Sequence, residues 1–188
     1  LNDAVGGPPV MPYQPKGVWS EITMGRFKYE PSLGPAQYRR TIYAFWRRSS
    51  APTFLFDSAQ RRVCEVGVRR TNTPLQALTL MNDLTMLEAS QVLASAVLQD
   101  DSKSGIDERL QGLALRIFSR ELESTERQKL RQVLSSAQQH YQSRPKAAVR
   151  FSTVGQRGPS TKAASSDLAA WMTVTSLLLN LDEAMTRE

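Results

Sequence analysis

The sequence predicts an all-α fold: an irregular helical domain of about six or seven helices behind long N-terminal loops. Three observations predict it. Apolar residues recur at helical spacing in most segments, while the alternation of Val, Ile and Thr with polar residues that marks a strand is scarce. Apolar residues make up 40% and charged residues 22%, a globular rather than a disordered composition. Cap residues stand before several of the apolar-periodic runs.

The elements follow in order. Residues 1–16 carry four prolines and two glycines and read as an extended loop. Residues 1–36 as a whole are mostly irregular, broken by a short helix over Val18 to Met24. From 37 onward the reading is helical. Tyr38, Ile42, Phe45 and Trp46 fall at i, i+4, i+7 and i+8, which predicts a helix over Gln37 to Ser49. Residues 50–73 form a long connection with about one helical turn near Asp57 to Arg61. Such a length inside a compact domain is usually functional or pinned by polar contacts.

The stretch Arg69 to Asp83, RRTNTPLQALTLMND, carries the fullest start signal. Thr73 is placed to cap a helix, Pro74 to occupy its first position, and the Gln76 amide to reach back to the cap's backbone. Asn72 and Arg70 sit just outside that helix end. Asn82-Asp83 ends the helix at about Met81, and Asp83 caps the next, Leu84 to Leu98. A polar turn leads to a helix from Ile106 to Ser119 with Leu110, Leu113, Ala114 and Ile117 on one face. Ser124 is expected to cap a helix to about Ser143, and Pro145 to Phe151 forms a further helical piece. Residues 152–162 are a Gly- and Ser-rich loop. Asp167 is expected to cap the last helix, Leu168 to about Ala184, burying Trp171, Val174, Leu178 and Leu181.

Charge and rare residues narrow the chemistry. The formal charge is +6, and 18 of the 24 basic residues are arginine, which suits bidentate contact with carboxylate, phosphate or sulfate. Arg39, Arg40, Arg47, Arg48, Arg61, Arg62, Arg69 and Arg70 form four doublets, offset between Gln37 and Thr73 only by Asp57 and Glu65. With Asn72 and Gln76 they make the candidate binding set, for a polyanion, an acidic glycan or an acidic protein. The plainer account pairs several of them with Asp57, Glu65, Asp83 and Glu88 as structural ion pairs. Thr73, Pro74, Asn82 and Asp83 form the candidate structural turn.

Those four carboxylates offer no converging pair for acid–base work, and no catalytic residue is assigned. A lone Cys64 and a lone His140 supply almost no soft ligands, so no metal and no cofactor are expected. Cys64 reads as a small buried residue and His140 as a surface residue near a helix end. The aromatic stripe beside the arginines reads as a core face rather than a base-stacking platform, and a sequence-specific nucleic-acid motif is absent. No apolar run reaches the roughly 18 to 20 residues that span a bilayer.

Four blocks then appear in order: GGPPVMPYQPKGVW, YRRTIYAFWRRSSAPTFLFDSAQRRVCEV, RRTNTPLQALTLMND and LLLNLDEAMTRE. In that order they resemble the C-terminal part of domain-of-unknown-function family 1553, and they span nearly the whole chain. The family is planctomycete-associated and often sits in large proteins with a partner domain and a c-type cytochrome module. The resemblance implies that residues 1–188 are the C-terminal portion of a single, longer helical domain. It also implies an extracytoplasmic setting, upstream domains of the same polypeptide as partners, and any haem attachment elsewhere, since Cys-x-x-Cys-His does not occur here. The family carries no established activity and so no catalytic residues.

The resulting expectation is a non-enzymatic binding or scaffolding module that docks partner domains or an anionic glycan. The alternative is part of a polysaccharide-acting enzyme completed by an upstream region. An exposed apolar surface near the N-terminal loops is also expected, because the early aromatic stripe needs a partner.

Overall fold

Helix α7, Ser165–Leu179, explains most of the C-terminal architecture in the computed structural model. Leu168, Ala169, Ala170, Trp171, Met172, Val174, Thr175 and Leu178 are all buried, on nearly every side of the helix. A helix apolar all round belongs inside a bundle. It is flanked by α3 (Leu84–Leu98), α5 (Ser124–Ser143) and α6 (Pro145–Ser152), with lighter contacts from α4 (Ile106–Phe118) and α8 (Asp182–Met185). Leu110 and Leu113 of α4 and Leu130 and Leu134 of α5 complete the core, with Ile117 packed at its edge. The remaining helices are α1, Val18–Thr23, and α2, Pro74–Asn82.

The structure describes residues 2–45, 73–100, 105–156, 158–159, 161 and 163–185. Among these it is all-α, with eight helices and no strand beyond two isolated bridges. The chain divides into two compact units, Leu1–Leu80 and Met81–Glu188.

The N-terminal unit is held differently. Trp19, on α1, stacks on Tyr29 at 5.0 Å and on Phe45 at 5.7 Å, and Phe27 leans on it at 5.2 Å. Its indole N–H donates to Gln14 Oε1. Tyr29 donates its hydroxyl to the Pro12 carbonyl at 2.5 Å, and burial pushes that hydroxyl up to about 12.

The helix expected over Gln37 to Ser49 does not form at residues 37–45; residues 46–49 lie outside the described set. Two 3-10 turns, Gly34–Tyr38 and Thr41–Tyr43, stand there instead. The reason is competition for backbone groups. Asn2 donates to the Tyr38 carbonyl at 2.8 Å, Val10 to Tyr43 at 2.9 Å, and Phe45 donates back to Val10 at 2.7 Å. The chain's own start thus occupies positions a helix would need. Ile42, expected in the buried stripe, is 85% exposed.

Local chemistry sets the other boundaries. Asp83 accepts from the N–H groups of Thr85 at 2.9 Å and Met86 at 3.3 Å and caps α3 as expected. Three expectations are corrected by one to five residues. Glu123 rather than Ser124 precedes α5, and its N–H donates to Glu126 at 2.8 Å. Asp167 lies inside the first turn of α7, behind Ala164. The last helix stops at Leu179 and restarts as α8, leaving Leu181 43% exposed.

Candidate functional site

The arginine-rich segment begins with a residue that has a structural partner set. The Arg39 guanidinium lies over the Tyr43 ring, 3.7 Å from its centroid. It donates to the carbonyls of Pro8 at 3.1 Å and Ala4 at 3.2 Å, and also to Gly6. Gly6 and Gly7 both have positive φ, which turns the loop's carbonyls in succession onto one cation. Arg39 therefore pins residues 4–8 and is not an open anion site. Arg40 is exposed and sits 4.0 Å from the exposed Asp3, a contact of little energetic weight. Arg47, Arg48, Arg61, Arg62, Arg69, Arg70 and Asn72 lie outside the described residues, as do Asp57, Cys64 and Glu65.

The turn that follows is a helix start. Thr73 Oγ1 accepts from the Gln76 N–H at 3.2 Å, and Pro74 takes the first helical position. The Gln76 side chain departs from the expected role. It is buried, its Oε1 has no hydrogen-bond partner, and no bond returns to the Thr73 backbone. Asn82 is the last, exposed residue of α2, and Asp83 is buried as the cap of α3.

Glu88 is 2% exposed and is used structurally. It accepts the Gln156 N–H, while Gln91, one turn on, donates to the Ser152 carbonyl at 2.7 Å. Together they hold the end of α6 and the loop after it. Gly155, at φ +90, approaches Glu88 so closely that a Cβ would run into the carboxylate side chain. Neither Asp83 nor Glu88 is placed as an exposed acid or base. Among the described residues no group of three or more His, Cys, Asp or Glu could hold a metal ion, and no helix is long and apolar enough to cross a membrane.

Doublet spacing does not reveal a second basic surface. Arg144, Lys146 and Arg150 are exposed around α6. The sequence signal for it is an absence of acidic residues from 127 to 166.

The family model for PSD1, a protein of unknown function (DUF1553), matches residues 1–134. The chain belongs to the DUF1553 family. No curated protein and no solved structure matches it. The DUF1553 match takes in the clamped loop of Arg39, the Thr73 helix start and the Asp83 cap. It ends within α5, so α6 and α7 lie beyond the matched segment.

Proposed function

We propose that this DUF1553 chain is a non-enzymatic binding or scaffolding module of a larger exported multidomain protein. It docks neighbouring domains of the same polypeptide through its N-terminal unit, and the remaining arginines of the doublets, from Arg40 to Arg70, add anionic partners such as an acidic glycan. The observation that carries this reading is the set of exposed large apolar side chains on that unit. Val5, Met24, Leu33 and Ile42 are 81%, 86%, 73% and 85% exposed. Large side chains at that exposure are a cost for a soluble surface and a gain for an interface. The burial of Asp83 as a cap and of Glu88 as a loop anchor favours this reading over the enzyme alternative, which needs carboxylates free to meet a substrate. The exported setting rests on the family resemblance.

Oxidative footprinting tests the proposal. In the 188-residue chain Met24 should oxidise readily, and in the longer natural polypeptide it should be protected. Equal oxidation in the two would overturn the docking reading.

A further inference from the structure

Residues 127–166 contain no aspartate or glutamate, although the chain carries 18. The same 40 residues hold eight lysines and arginines. In the structure three of these cations gather at α6. The helix turns Ala148 and Ser152 inward, each 1% exposed, and presents Lys146, Val149 and Arg150 to solvent. Arg144, at the junction of α5 and α6, is exposed beside them. Among the described residues none of the three makes an ion pair. Two other arginines of this unit are closely matched, Arg131 to Asp107 and Arg120 to Glu126 and Glu183. Lys146 and Arg150 are four apart on one helix, where like charges repel. The fold gains nothing from that repulsion, and an anionic ligand would remove it.

We infer that the exposed face of α6, with Arg144, Lys146 and Arg150, binds an anionic polysaccharide. This goes beyond the docking reading and does not rest on it. Guanidinium and ammonium groups bind sulfate or carboxylate. The last turn of α5 adds exposed Gln139, Gln142 and Ser143, whose amides and hydroxyl suit sugar hydroxyls. A single-stranded nucleic acid is the poorer fit. Of the nearby rings, Tyr141 and Phe151 stack on each other at 5.9 Å and pack on the core, which leaves the small exposed ring of His140 as what a base would meet. A membrane is poorer still, because the exposed face of α6 carries one large apolar side chain, Val149.

The test is affinity for heparin, sulfated and carboxylated, and for polygalacturonate, carboxylated only, using the whole chain. Neutral dextran, single-stranded DNA and anionic vesicles serve as comparisons. The triple variant R144Q/K146Q/R150Q should bind about tenfold more weakly than wild type to whichever glycan binds. The variant K16Q/R26Q/K28Q, which removes the same charge from the N-terminal unit, should bind as wild type does. Heparin should also protect Lys146, but not Lys16, from acetylation in the wild-type protein, a readout that needs no variant. Equal weakening in both variants, no protection of Lys146, or tighter binding to DNA or vesicles than to either glycan would each overturn the inference.

Discussion

Trp171 and Trp19 are buried to almost the same degree, 2% and 3% exposed, in units built on different principles. Trp171 sits mid-helix on α7, among side chains from α3, α4 and α5 that arrive with helical periodicity. Trp19 sits on a six-residue helix, among rings delivered by loops at Phe27, Tyr29 and Phe45. In the first case the secondary structure places the core. In the second, hydrogen bonds to loop carbonyls place the rings. A core of the same depth can therefore depend on apolar pattern or on backbone satisfaction, and substitutions should tell the two apart.

The largest effect should come from the pair of tryptophans. Removing a buried tryptophan costs about 3 to 5 kcal/mol. Trp171→Ala should take that loss from the helical bundle and lower the far-ultraviolet melting transition by many degrees. Trp19→Ala should leave that transition nearly in place and abolish near-ultraviolet signals from the stacked rings. If both substitutions depress the far-ultraviolet transition equally, the units unfold as one and the contrast fails.

This difference also governs what the sequence reveals. Helices α2 to α7 are legible to within one or two turns, because Leu110, Leu113 and Ala114, or Trp171, Val174 and Leu178, repeat at the helical period. The segment from Gln37 misled for the same reason. Tyr38, Ile42 and Phe45 have helical spacing, but Asn2 and Val10 claim the neighbouring carbonyls of Tyr38 and Tyr43. That competition is non-local and leaves no mark on spacing. The doublets suggested a binding site, whereas Arg39 is absorbed by three carbonyls, and carbonyls have no sequence signature. The Glu88 carboxylate accepts the N–H of Gln156, 68 residues away, a contact that no local spacing signals.

A smaller effect is expected from Arg39→Gln. A hydrogen bond to a charged group contributes about 1.5 to 3 kcal/mol, and partial exposure of Arg39 places its loss at the lower end of that range. Residues 4–8 lose their common donor, so amide hydrogen exchange at residues 4–7 should accelerate while that of α7 stays unchanged. Accelerated exchange in α7 as well would mean that the clamp supports more than its own loop.

The smallest effect separates the units by pH. In the C-terminal unit Arg120 donates to Glu126 at 2.9 and 3.0 Å, to Glu183 through two 2.7 Å bonds, and to the Glu121 carbonyl at 2.9 Å. The Arg120 hydrogen bonds, helped by the Glu123 N–H, hold the Glu126 carboxyl at about 2, below its ordinary 4.5. Arg120 lowers Glu183 in the same way. A carboxyl depressed in the folded state stabilises above its unfolded value and loses that contribution as pH falls through its folded value. The difference in urea midpoint between wild type and Arg120→Gln should thus be present at pH 7 and shrink between pH 4.5 and 2. The Asp107–Arg131 pair, whose carboxyl is also depressed, is common to both proteins and cancels in the difference. Exposure of these side chains keeps the effect small. Arg39 offers the contrast, because its carbonyl partners do not titrate. The deficit of Arg39→Gln should stay flat over the same window, and a deficit that also shrank there would show that a carboxylate, not the loop carbonyls, is the true partner of Arg39.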